Sequence, residues 1–347
     1  MLVNRSRPGV SDISMLTILN EVPEGLLELE ANQLSQKLGG PTLIHLPGVH
    51  PEPLFVSVLL HGNEVSGWLA LRKLLREYWM HPLPRALSVF IGNVSAAADG
   101  RRHLDGQHDY NRVWADGDDD EHRMAQSILD EMQQRRVFAS IDIHNNTGTN
   151  PHYACVNSLD DAFLNLALLF SRTVVYFTRP DTVQSMAFSE FCPSVTLECG
   201  RSGQAFGVEH CYEFLKSVLH LEHMPVRSLS ARDIDLFHTV AIVKVASDIS
   251  IGFGDEDAAL RLIAEVDHLN FSELASGTLL GYVASEGVAL DVRNDDGEDV
   301  GERYFNYQQG EIRTCVPLVP SMLTLDKKVV RQDCLCYLME RMNCLKE

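Results

Sequence analysis

The sequence predicts an α/β protein with a smaller all-β C-terminal part, on three observations. Short β-rich runs alternate with longer amphipathic stretches from about residue 41 to about residue 224. Those runs are continuously apolar, as strands covered on both faces are. After Pro225, helical patterns give way to short strands separated by Gly and acidic turns. In chain order, residues 54–60 form a strand because they are continuous, β-branched and aromatic, and residues 65–80, with Leu69, Leu71, Leu74 and Leu75, form the helix after it. Residues 87–91 are a second strand. The polar stretch 92–120 is too long for a plain connection in a compact domain, which marks it as functional. A helix at 121–136, a strand at 137–143, a helix at 160–172, strands at 174–178 and 194–197, and a helix at 205–223 follow. Beyond them, 238–246, 278–283, 288–292 and 311–316 read as strands, and the change of texture near Pro225 divides the chain into a 1–226 unit and a β-rich 227–347 unit.

The chain has 347 residues, 45% hydrophobic and 22% charged, enough for one large domain and a smaller one. Its 29 Lys and Arg face 48 Asp and Glu, a net charge of −19 that repels phosphate backbones and anionic lipid heads, so nucleic-acid and membrane partners are not expected. No segment approaches the roughly 18 apolar residues of a membrane span. The first twenty residues, broken by Asn4, Arg5, Arg7, Asp12 and Ser14, offer no apolar signal-peptide segment. Eight cysteines form no CxxC pair, and Cys334 and Cys336 stand too close for easy bridging, so reduced thiols and a cytoplasmic setting are expected. Assembly into a homo-oligomer is compatible with this composition. The acidic clusters 116–121 and 295–299 lack the ligand spacing of a calcium loop and read as solvated turns.

Chemistry gathers at strand ends, where open α/β sheets place their sites. The strand 54–60 runs into His61-Gly62-Asn63-Glu64, and an imidazole and a carboxylate at that spacing on a tight turn can converge on one cation. The strand 137–143 leads into His144-Asn145-Asn146. Two histidines and a glutamate make the His₂Glu set of a catalytic zinc site with an open fourth position. Asp142 shares a strand face with His144 and is read either as its orienting partner or as an ordinary hydrogen-bonded strand carboxylate. The polar loop holds Arg101, Arg102 and Arg112, read either as a carboxylate fork with an oxyanion-stabilising partner or as a surface ion-pair cluster with Asp105, Asp109 and Asp116. Glu198 ends the strand 194–197, where it could take a proton from an attacking water and return it to a leaving nitrogen.

The ordered motifs H-G-N-E (61–64), D-Y-N-R (109–112), D-I-H-N-N-T-G (142–148) and T-L-E-C-G (196–200) resemble the aspartoacylase and succinylglutamate desuccinylase family, a branch of the zinc carboxypeptidase (M14-like) fold. The β-rich tail with Asn270-Phe271 and Gly277-Thr278 looks like that family's C-terminal domain. The resemblance implies a mixed sheet flanked by helices with an appended β domain. It implies one zinc ion on His61, Glu64 and His144, Glu198 as general base and acid, Asn111 and Arg112 on the substrate carboxylate, and Arg102, with Arg101 as its neighbour candidate, polarising the scissile carbonyl. The family's further acyl-pocket arginine has no counterpart in place, since Arg179 is far upstream of Glu198 and Arg201 follows it, and neither Tyr304 nor Tyr307 aligns with the C-terminal tyrosine of aspartoacylase. The expected activity is zinc-dependent hydrolysis of an N-acyl amino acid. The same parts would serve a carboxypeptidase acting on a peptide C-terminus, and a zinc-containing binding protein without catalysis is the rival from another class.

Overall fold

Period-two alternation explains the centre of the molecule. In the strand through residues 54–58, Leu54, Val56 and Val58 join a core with Trp68, Leu71, Leu74 and Leu215, while Phe55 joins a second core with Phe90, Ile128 and Phe188 on the other face. Both faces are therefore covered, the helices Ser66–Glu77 and Ala205–Leu219 lying on the first and Asp120–Gln134 and Gln184–Ser189 contributing to the second. This is why the strand reads as a continuous apolar run.

The structure, a computed structural model, describes residues 15–285, 287 and 289–342. Its strands are β1 (Thr17–Leu19), β2 (Thr42–Leu46), β3 (Gly48–Val58), β4 (Leu83–Ile91), β5 (Ala139–Asn146), β6 (Tyr153–Val156), β7 (Thr173–Tyr176), β8 (Ser194–Arg201) and β9 (Asp235–Lys244). They continue with β10 (Ile251–Phe253), β11 (Leu260–Leu262), β12 (Leu279–Val283), β13 (Asp291–Arg293), β14 (Phe305–Gln308), β15 (Glu311–Thr314), β16 (Val319–Ser321) and β17 (Cys336–Arg341). The main sheet runs β1-β2-β4-β3-β5-β8-β6-β7-β9-β17-β16, with β13 also on β9, and a second sheet runs β10-β11-β12-β15-β14. The main sheet is mixed: β3 is parallel to β4 and β5, and β5 to β8, whereas β2–β4 and β6–β8 are antiparallel. The second sheet is mainly antiparallel and packs through Ile251, Leu260, Leu262 and Ile312 on a core shared with Ala241, Val243 and Leu338 of the main sheet.

Boundaries differ from the sequence reading where tertiary pairing decides them. The segment 238–246 becomes β9, which pairs in parallel with β7, so the main sheet draws on both sides of the expected division at 226/227. The strand expected at 137–143 runs on as Ala139–Asn146, so His144 lies within it rather than after it. The strand expected at 288–292 is Asp291–Arg293, Val288 lying outside the described residues, as do residues 1–14 of the N-terminal stretch.

The parallel run β3, β5, β8 sends three carboxyl ends to one edge of the sheet, and β3 leaves it abruptly. Leu59 takes a φ of 57°, an uncommon conformation for a non-glycine residue and one that turns the chain ahead of His61. Gly62 donates its N–H to Arg102 O at 3.0 Å, and a Cβ there would collide with the backbone of Ala96, Ala97 and Arg101. Gly62→Ala is therefore expected to destabilise the chain by about 1–3 kcal/mol, read by denaturant unfolding, because the neighbouring atoms are backbone and cannot move aside cheaply.

Candidate active site

The loop from His61 to Glu64 and the end of β5 meet at the sheet edge. His61 Nδ1 lies 2.9 Å from Glu64 Oε1, His144 Nδ1 lies 2.8 Å from Glu64 Oε2, and the two Nδ1 atoms are 3.2 Å apart. All three side chains are buried, and among the described residues they form the one group of His, Cys, Asp and Glu placed to hold a metal ion. Behind each imidazole stands a carboxylate: His61 Nε2 faces Asp109 Oδ1 at 2.9 Å, and His144 Nε2 faces Asp142 Oδ2 at 2.8 Å.

This donor set fits a tetrahedral cation. If each ring donates Nε2–H to its aspartate, both Nδ1 lone pairs point at each other and at a carboxylate, an arrangement of acceptors that only a positive charge can satisfy. Ligand atoms about 2.0–2.1 Å from a tetrahedral zinc stand about 3.3 Å apart, close to the separations here. The same logic governs protons. Burial opposes a charge on His144, but Asp142 and Glu64 outweigh it and hold its pKa well above the usual imidazole range. Burial and Arg102 oppose a charge on His61, and Asp109 with Glu64 outweigh them to raise it. Glu64, despite burial, is held far below the usual carboxylate range by the two histidines.

Asp109, a surface ion-pair partner in one of the two readings of the polar loop, is a junction. Its Oδ1 accepts from the Asn111 N–H at 2.8 Å besides facing His61, and its Oδ2 accepts from Arg102 Nε at 3.2 Å and Nη2 at 3.0 Å. His61 and Arg102 hold its pKa well down in spite of burial. Asn145 clips the loop 61–64 to β8: its N–H donates to Glu64 Oε2 at 3.0 Å, its Oδ1 accepts from the Ser66 N–H at 3.2 Å, and its Nδ2 donates to Gly200 O at 2.9 Å.

Glu198 is the register partner of His144 on one side and of Tyr153 on the other. Its Oε2 is buried with no hydrogen-bond partner among the described residues, and burial, with Glu64 adding to it against His144, pushes the carboxyl up to about 7. A carboxylate so placed can exchange a proton near neutral pH. The cavity in front of it is lined by His61, Glu64, His144, Glu198, Arg102 and Arg112, among others.

Arg102 lies in this site, whereas Arg101 is a half-exposed partner of Asp105 at 2.5 Å, so the two readings of the polar loop divide between neighbouring residues. Asn111 is held by its Oδ1, which accepts from the Gln184 N–H at 3.0 Å, with its Nδ2 3.3 Å from His144 Nε2. Arg112 donates from Nη1 to Asn111 O at 2.9 Å and from Nη2 to Asp333 Oδ1 at 3.0 Å. Asp142 has the positioning geometry, its Oδ1 accepting from Ser57 Oγ at 2.7 Å while Oδ2 meets His144. Arg179 also lines the cavity, though it is half exposed and paired with Asp181. Tyr304 and Tyr307 do not line it; the tyrosines that do are Tyr153 and Tyr337. Asp333, Tyr153 and Tyr337 were missed in the sequence because no local motif surrounds them.

The fold and this site define an α/β protein with a candidate metal centre at the carboxyl ends of parallel strands. Residues 53–224 match the family model of the succinylglutamate desuccinylase/aspartoacylase catalytic domain, and that region of the chain belongs to the family. No curated relative matches the chain in sequence. Among solved structures, a succinylglutamate desuccinylase/aspartoacylase from Rhodobacter sphaeroides superposes with a TM-score of 0.58 at 14% identity, covering 87% of this chain and 89% of that one. The succinylglutamate desuccinylase from Chromobacterium violaceum gives 0.53 at 16% identity, covering 84% and 86%. Murine aminoacylase 3 gives 0.52 at 16% identity, covering 84% and 95%. At these identities the likeness concerns the fold. Among the described residues no helix is long and apolar enough to cross a membrane.

Proposed function

We propose that this protein is a zinc-dependent hydrolase that cleaves the amide bond of an N-acyl amino acid. The observation that carries the reading is the convergence of His61, Glu64 and His144, each histidine backed by its own aspartate, beside a buried glutamate with a free carboxylate oxygen. Aminoacylase, desuccinylase and aspartoacylase are the names of proteins with this family's catalytic domain or fold, which supports a deacylase over other uses of the site. His61, Glu64 and His144 would hold one zinc ion, whose Lewis acidity would polarise the amide carbonyl and lower the pKa of a water toward about 7. Glu198 takes the proton of the attacking water and delivers it to the leaving nitrogen. Arg102, held rigid by Asp109, faces the developing negative charge on the carbonyl oxygen, and Asn111 with Arg112 receives the substrate carboxylate. A carboxypeptidase would use the same clamp on a peptide C-terminus. A zinc-containing binding protein would need neither Glu198 nor the arginines.

The clamp gives a test. A group that binds ground and transition states alike changes KM, whereas one that acts only on the transition state changes kcat. Arg112→Lys, which keeps the charge and loses the planar fork, is expected to raise KM with little change in kcat. Arg102→Ala is expected to lower kcat by about 10²-fold or more. Free acids should be preferred over their amides. Steady-state kinetics in which both variants behave alike, and acids and amides turn over equally, would remove the clamp from the account.

A further inference from the structure

One end of the cavity is apolar. Its floor is one face of the main sheet, where register places Thr196 beside Cys155 and Cys155 beside Val175, with Glu198 beside Tyr153 one step along. Tyr153, Cys155 and Val175 belong to a single apolar cluster with Phe177 and Met322, and the Tyr153 hydroxyl donates to Met322 Sδ at 3.1 Å.

The arginines that line the cavity already have partners. Asp333, carried just past the helix Lys327–Gln332, accepts from Arg112 Nη2 at 3.0 Å and from Arg102 Nη2 at 3.4 Å, and Asp109 takes the rest of the Arg102 fork. Arg179 at the wall is paired with Asp181. Arg102 and Arg112 are thus already matched by Asp109 and Asp333, so a carboxylate taken by the Arg112 fork leaves no further cation to spare. A second would enter an apolar end with no unpaired cation, since Arg179 is held by Asp181, and an unpaired buried charge is costly.

We propose that Asp333 is a specificity-determining residue that restricts this site to N-acyl amino acids with a single carboxylate and an uncharged acyl chain. The inference rests on the deacylase reading and deepens it by naming the substrate class. N-butyryl-L-alanine and N-succinyl-L-alanine have acyl chains of equal length and differ by one carboxylate. The zinc-loaded protein is expected to favour the butyryl compound by about 10²-fold in kcat/KM. Asp333→Asn, with Asp333→Ser as a second neutral variant, is expected to shrink that ratio about tenfold, chiefly through a lower KM for the succinyl compound. Calorimetric titration of the zinc-loaded chain with butyrate and with succinate reads the same selectivity without turnover, and butyrate is expected to bind more tightly. Tighter succinate binding, equal cleavage of the two amides, or a wild-type ratio in folded neutral variants would overturn the proposal. Butyrate preference with cleavage of neither amide would instead overturn the deacylase reading and leave the selectivity standing.

Discussion

His144→Ala is expected to abolish both metal retention and activity. The substitution removes one of the three proposed ligands, and two rarely hold zinc. It also strands Asp142, which is fully buried and would keep Ser57 as its side-chain partner. Breaking a buried charge pair from one side costs about 3–5 kcal/mol, so unfolding should shift as well. Asp142→Asn separates the two effects: a residue that orients a ligand changes metal affinity by about 10–100-fold, and the loss in His144→Ala should exceed that. Metal analysis after dialysis, together with denaturant unfolding, distinguishes them. Full zinc occupancy in His144→Ala would sink the ligand assignment.

The second large effect falls on Glu198. Glu198→Gln keeps the size of the side chain and its place on β8 between His144 and Tyr153, and removes its ability to accept a proton. kcat should fall by about 10²–10⁴-fold with zinc retained. The pH dependence has a definite sign. In the proposed mechanism the deprotonated carboxylate is the active form, and burial raises its pKa to about 7, so activity is expected to rise with pH through the acid limb. A cation at the neighbouring ligands favours the carboxylate, which places that limb at or below this value. The limb should be missing from the residual activity of Glu198→Gln. Unchanged turnover would move the role to another carboxylate.

What was legible in the sequence follows from how local each feature is. His61 with Glu64, and Asp142 with His144, are close enough along the chain for turn and strand geometry alone to bring them together, and both meetings are seen at 2.8–2.9 Å. Apolar continuity disclosed β3 because helices cover both its faces. Pairing across long separations was not legible. β9 carries the same alternating pattern whether it borders a small separate sheet or the main one, and only its parallel register with β7 decides between them. Asp333 enters the site from 221 positions beyond Arg112, with no motif around it to show where it goes. Asp109 stood in plain view inside D-Y-N-R, but its link to His61 spans 48 residues and depends on the loop 92–120 folding back over the end of β3.

The most direct test of the central claim is amino-acid release followed by liquid chromatography and mass spectrometry. The protein would be assayed zinc-loaded, chelated and reloaded, against a panel of N-acyl amino acids and of peptides with free C-termini. The account predicts release of the free amino acid from N-acyl amino acids, loss of that release on chelation, its return with zinc, and little cleavage of peptides. Preferential removal of C-terminal residues from peptides, or release that survives chelation, would contradict it.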